Sequence, residues 1–111
     1  MKPLNPKQRH LHSSIRNNLH YDPVSGDLTW LNDRNGAVVA GQKAGYIDFK
    51  GRYRVNYRHP GAQKSKPISA LRVIWYLWFG EDRNDVRPRN GNPRDTRLVN
   101  LTVTPYLPKD A

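Results

Sequence analysis

Tyr46-Ile47-Asp48-Phe49-Lys50-Gly51-Arg52-Tyr53-Arg54-Val55-Asn56-Tyr57 contains two alternating runs, Tyr46 to Phe49 and Arg52 to Tyr57, joined by Lys50-Gly51. Period-two alternation across a glycine-containing turn predicts a β-hairpin. Side chains alternate across a strand, so Tyr53, Val55 and Tyr57 share one face. Arg52, Arg54, Asn56 and, if the strand continues, Arg58 share the other. One face is therefore expected to be core and the other cationic. Downstream, His59 to Lys66 reads as a polar turn, and Pro67-Ile68-Ser69-Ala70 leads into Leu71 to Phe79. That run is apolar almost all round, which predicts a buried helix at the centre of the core, ending at Gly80. A hairpin followed by a core helix makes the fold class α+β.

Upstream, Leu11, Ile15 and Leu19 recur every four residues from Lys7 to Leu19. This spacing predicts an amphipathic helix with Arg9, His12 and Arg16 on its outer side. Tyr21-Asp22-Pro23-Val24-Ser25-Gly26-Asp27 predicts a turn, and Leu28-Thr29-Trp30 a short strand. Gly36 to Gly45 is expected to be a loop or an edge strand. Towards the other end, Glu81 to Arg97 is polar, with Asn90-Gly91 as a turn signal. Leu98 to Val103 regains apolar character before Pro105 and Pro108. The 111 residues suffice for one modest core. They divide into a flexible N-terminal arm (residues 1–7), one domain (8–105) and a C-terminal tail (106–111), with no internal repeat.

The chain has 19 Lys and Arg against 9 Asp and Glu, a formal net charge of +10. Folding gains nothing from such self-repulsion, whereas a phosphate backbone rewards clustered cations through counterion release. The composition therefore points to an acidic partner, nucleic acid first. The stretch Leu71 to Phe79 is too short to span a bilayer and is interrupted by Arg72, so a membrane is not expected. With no cysteine, disulfides and thiolate zinc sites are excluded. No secretory signal is apparent, and a cytoplasmic location is expected.

Three groups of residues occur in an order that resembles a known family. They are Tyr21, Asp22, Pro23, Gly26, Leu28, Thr29 and Trp30; then Ala70-Leu71-Arg72-Val73-Ile74-Trp75 with Tyr76 and Phe79-Gly80-Glu81; then Asn90-Gly91-Asn92, Asp95, Arg97-Leu98 and Asn100-Leu101. Phage and mobile-element HNH homing endonucleases carry a Tyr-Asp-Pro-x-x-Gly-x-Leu-Thr-Trp opening, a hairpin, an Ala-His-Arg-Leu-x-Trp helix and an Asp-His-Ile-Asn-Gly turn. The resemblance runs from Leu11 to Pro105 and implies a ββα-metal core preceded by a helix and a hairpin. It also implies a phage or mobile-element origin.

The departures fall on the chemistry. The family's Asp-His pair, metal ligand and water-activating base, aligns with Arg87 and Pro88. Proline has no group to take a proton, and arginine repels a metal ion instead of ligating it. The helix-start histidine aligns with Leu71, the Asn of an Asp-Asn-Arg segment with Thr96, and a later Asn ligand falls in the tail Thr104-Pro105-Tyr106-Leu107-Pro108. The resemblance thus implies an HNH-like domain without its metal site, not an enzyme, with no metal and no cofactor.

Arginine in place of a metal-binding acid makes a direct phosphate contact. The expected nucleic-acid-binding set is Arg52, Arg54, Asn56, Arg58, Lys64, Lys66, Arg72, Arg83, Arg87, Arg89, Arg94 and Arg97, with duplex DNA as the partner. His10, His12, His20 and His59 are read as surface histidines, since no acid completes a ligand set. Asp48, Asp82, Asp85 and Asp95 are read as ion-pair partners rather than a relocated metal site. Trp75, Trp78, Tyr53 and Tyr57 are read as core. A rival expectation is an inhibitor that binds a host protein through the same basic surface.

Overall fold

The computed structural model describes residues 10–33 and 38–104. The expected arm, the tail and part of the Gly36 to Gly45 segment lie outside the described residues. In chain order, a 3-10 helix (Ser13–Asn17) leads into β1 (Leu19–Tyr21), β2 (Leu28–Trp30), β3 (Tyr46–Ile47), β4 (Tyr53–Tyr57) and β5 (Lys66–Ser69). Then follow α1 (Ala70–Phe79), β6 (Arg87–Pro88), a second 3-10 turn (Leu98–Asn100) and β7 (Leu101–Thr102). All strand pairs are antiparallel, in sheets β1-β2, β3-β4-β5 and β6-β7. The architecture is mixed α+β.

The hairpin and the core helix form where their patterns place them. Val55 is buried with Tyr53 and Tyr57 packed half-buried beside it, while Arg52, Asn56 and Arg58 are exposed. The connection is longer than Lys50-Gly51: β3 stops at Ile47, and Asp48 to Arg52 is turn. Ser69 caps α1, its Oγ accepting from the Arg72 N–H at 3.3 Å, and Gly80 ends it in the left-handed region at φ 72°. These are the residue types that satisfy orphan groups at the two ends of a helix. Ala70, Leu71, Val73 and Ile74 are buried against Val55, Leu28, Leu19 and Leu101. Burial fades towards the C-terminal end of α1, so Trp78 and Phe79 are half exposed; Trp78 is only partly covered by Tyr21, edge to face at 6.3 Å.

Over its described part, residues 10–19, the amphipathic helix expected from Lys7 to Leu19 is not formed. Among the described residues it shrinks to the 3-10 segment Ser13–Asn17, because Ser, Asn and His side chains compete for the backbone. His12 Nδ1 accepts the Ser14 N–H at 3.1 Å, and Leu19 pairs with Trp30 in β1. Leu11, Ile15 and Leu19 are all buried nonetheless, Leu19 from a strand rather than a helix.

The Tyr21 to Trp30 motif acts as a seat for the segment Thr96 to Leu98. Asp22 Oδ1 accepts from the Val24 and Ser25 N–H groups, and the Gly26 N–H donates to the Asp22 carbonyl at 2.8 Å. This turn brings Gly26, at φ 83°, against the backbone of Thr96 and Arg97. The Tyr21 hydroxyl donates to the Thr96 carbonyl at 2.6 Å, Thr96 Oγ1 donates to the Gly26 carbonyl, and the Leu98 N–H donates to Pro23. Burial, with the charge of Asp22 adding, pushes the Tyr21 hydroxyl up to about 12, so it stays a donor. A Cβ on Gly26 would lie 2.6 Å from the Arg97 nitrogen. Gly26→Ala therefore combines a left-handed backbone penalty with a backbone clash. Chemical denaturation should show a loss of about 3 kcal/mol.

The Asn90-Gly91-Asn92 turn is held by buried Asn100. Asn100 Nδ2 donates to Asn90 Oδ1 at 3.0 Å and to the Asp95 carbonyl at 2.8 Å, and the Asn90 N–H donates back to Asn100 Oδ1. This bracket aligns β6 with β7, in the register Arg87 opposite Thr102. Any helix following β7, as a ββα unit requires, falls beyond Thr104, outside the described residues.

Candidate nucleic-acid interface

The four aspartates weighed as a metal site are each spent on arginine. Asp48 lies 3.4 Å from Arg52 and 3.3 Å from Arg54; Asp82 pairs with Arg72 at 2.6 Å, Asp85 with Arg83 at 2.9 Å and Asp95 with Arg97 at 2.8 Å. Arg97 is the largest influence holding Asp95 down at about 2. Among the described residues no three His, Cys, Asp or Glu side chains group as metal ligands.

This pairing divides the expected nucleic-acid contacts. Arg72 and Arg83 are interior, not surface, residues. Arg72 is buried in α1, its Nε and Nη2 donating to the two Asp82 oxygens. Arg83 is buried with Asp85, Glu81 and the Thr104 carbonyl. The Asp85 hydrogen bond outweighs burial and raises its pKa further. Both guanidiniums are committed to carboxylates within the fold; Arg83 lines neither of the clefts where the other cations gather, and Arg72 reaches one only as a neutralised partner of Asp82. Arg97 is half exposed but bidentate to Asp95. Arg89 and Arg94 are exposed around the Asn90 turn. Asn56 accepts from the Tyr46 hydroxyl at 3.3 Å, and with Arg58 it borders a small depression against Ser14 and Asn18.

The remaining cations converge. A cleft of about 610 Å³ runs beside β5, an edge strand of its sheet, and is lined by Arg54, Lys64 and Lys66 together with Tyr57, His59, Ser69, Asn84 and the neutralised Arg72. A second, of about 410 Å³, is lined by Arg52, Arg54 and Arg87 with Gly51, Ser69, Pro88 and Gly91. Arg54 and Ser69 line both, as expected of partners directly across the β4-β5 ladder. The two clefts thus adjoin at Arg54 and Ser69 and are taken together as the cationic groove. Among the described residues no aspartate or glutamate lines either cleft. Asp48 behind Arg52 and Arg54 offsets one charge, leaving the wall with an excess of cations.

The hairpin face pointed to Arg52 and Arg54, and the substituted strand pointed to Arg87. Ser69 is not marked as a groove wall by the sequence because β5 carries no alternation that identifies a strand, while Tyr57 reads as core from the inner face of β4 and His59 as an isolated surface histidine. Pro67 is tolerated in β5 because that strand is an edge.

Comparison of the chain with family models, with curated proteins and with solved structures returns no match. No helix among the described residues is long and apolar enough to cross a membrane.

Proposed function

We propose that this protein binds duplex DNA along the cationic groove and does not cut it. The observation that carries the reading is a pair of adjoining clefts walled by Arg52, Arg54, Lys64, Lys66 and Arg87, with no carboxylate among the described residues that line them. Nucleic acid is the partner that such a lining rewards, because each neutralised phosphate releases condensed counterions. Guanidinium and ammonium groups, with the Ser69 and Tyr57 hydroxyls beside them, are the donors that fix a backbone in register.

The resemblance to HNH endonucleases belongs to the same proposal: a disarmed relative of phage or mobile-element origin, working in the cytoplasm. The positions aligned with metal ligand and general base hold Arg87 and Pro88, and Arg87 lines the groove as a phosphate contact. Its Nη1 donates to Thr104 Oγ1 at 2.9 Å, which aims the guanidinium without neutralising it.

One feature favours a second reading, an inhibitor of a host protein. At the C-terminal end of α1, Phe79 packs on Trp75 at 4.3 Å, and Phe79 and Trp78 remain half exposed. Apolar surface of this kind suits a protein partner, and such a contact would be insensitive to salt.

Titration of the purified chain against a labelled random duplex over a salt series, with Mg²⁺ present, separates the readings. Intact DNA bound with a log–log salt slope of about −3 to −5, one unit per groove cation engaged, is the expected result. Cleavage would show a nuclease, and absence of binding would favour the inhibitor.

A further inference from the structure

The most exposed large apolar side chain among the described residues is Phe49, at 93%. It sits at the tip of the β3-β4 connection, and the turn around it is closely tied. Asp48 Oδ1 accepts the N–H groups of Lys50 and Arg52, both at 2.9 Å, the Asp48 carbonyl accepts the Gly51 N–H at 2.9 Å, and the Asp48 N–H donates to the Arg52 carbonyl. Gly51, at φ 80°, closes the turn. Asp and Gly are what such a turn requires; the position between them has no need of a phenyl ring, and polar residues are preferred there. Phe49 contributes nothing to the core cluster.

Its neighbourhood is cationic. Lys50 Nζ lies 5.7 Å from the ring centroid, and Gly51 and Arg52 form part of the wall of the smaller cleft. An aromatic ring therefore projects from one edge of the groove on a turn ordered by four hydrogen bonds, with ammonium and guanidinium groups on its C-terminal side.

We propose that Phe49 is a base-stacking wedge: with duplex DNA in the groove, its ring inserts at a base step while Lys50 and Arg52 hold the flanking phosphates. The inference rests on the DNA-binding reading and deepens it. Stacking suits an uncharged ring because every base offers a π-face, and apolar wedges are an established device for partly unstacking a duplex at flexible steps. The ordered turn limits the entropy lost on insertion, since only the side chain has to be fixed.

The test uses the full chain and a random duplex across a salt series. Phe49→Ala should bind about 5- to 150-fold more weakly at every salt concentration, in the range of losing one aromatic–base stack. Its salt slope should stay unchanged, because no cation is removed. Phe49→Trp should retain affinity. A duplex carrying 2-aminopurine should brighten with the wild type, as the base is unstacked, but not with Phe49→Ala. The thermal stability of Phe49→Ala should match the wild type, so a folding defect cannot imitate the result. Equal affinity of Phe49→Ala and wild type, or 2-aminopurine brightening that persists without the ring, overturns the wedge while leaving DNA binding intact. Failure of the wild type to bind any duplex overturns the DNA-binding reading and the wedge with it, and is recognised because the loss precedes any substitution.

Discussion

Asp82→Ala is expected to lower the unfolding free energy by about 3–5 kcal/mol, measured by chemical denaturation. Arg72 and Asp82 face each other with side chains only 10% and 8% exposed, so removing the carboxylate takes from a buried guanidinium the acid it is paired with. The same carboxylate accepts the Leu11 N–H at 2.7 Å, so the start of the described chain loses its anchor to the loop after α1. In a domain whose total stability is on the order of 5–15 kcal/mol, this is a large fraction. Asp95→Ala also removes an aspartate from an arginine pair, but there the guanidinium is half exposed and water can take over its charge, so the loss should be smaller. Similar small losses in both variants would mean that water reaches the Arg72–Asp82 pair.

The same pair fixes the direction of the acid response. Burial pushes the Asp82 carboxyl up, but the Arg72 hydrogen bond, the Leu11 N–H and the Arg72 charge together outweigh it and hold the group below its ordinary value. At Asp85 the Arg83 hydrogen bond is the largest influence, and it too lowers the carboxyl. A depressed folded-state pKa contributes stability that is present above the unfolded value of about 3.9 and lost as pH falls through the folded value. The wild type should therefore weaken below about pH 4, and Asp82→Ala should show a shallower acid limb.

The parts of this fold that were legible in the sequence are those with a local period. Alternation assigned the inner and outer faces of β4, and the unbroken apolar run located α1 with its glycine stop. What was not legible depends on partners distant in the chain. Leu11, Ile15 and Leu19 are buried as their spacing implied, but Ser13, Ser14, Asn17 and Asn18 shorten the helix, and the pairing of Leu19 with Trp30 overrides the four-residue period. Arg72 counted as a surface cation because charge is read residue by residue. The signal that places it inside was nonetheless available: an arginine in the middle of an apolar helix needs an acid, and Glu81 and Asp82 follow directly after the glycine stop. Phe49 reads as strand in the sequence because it continues an alternation, whereas the Asp48 side chain, accepting from the Lys50 N–H, makes the turn that takes it out of the sheet. Gly26 was recognisable as part of a motif, but its role as the close approach for Thr96 and Arg97 exists only in three dimensions.

The candidate site yields a second large effect, on binding instead of folding. Lys64, Lys66 and Arg87 are exposed and span both stretches of the groove. Replacing all three by alanine should leave the unfolding transition nearly where it is, since none is buried or paired with an acid in the observed ion pairs. If each neutralises one phosphate, the salt slope should become shallower by about 3, and affinity at about 0.1 M salt should fall on the order of 10²- to 10³-fold. Lys43→Ala provides the control for charge alone. It removes a cation that pairs with Asp27 at 3.4 Å and lines neither cleft, so it should alter the slope by much less than one unit. A triple variant whose slope matched the wild type would mean that DNA contacts another face, with Arg58, Arg89 and Arg94 among the exposed arginines that could carry it. A slope that shallowed equally with Lys43→Ala, charge for charge, would reduce the groove to one part of a diffuse positive field. The geometric claim stands only if position as well as charge matters, and the comparison of three groove cations with one outside it measures that difference directly.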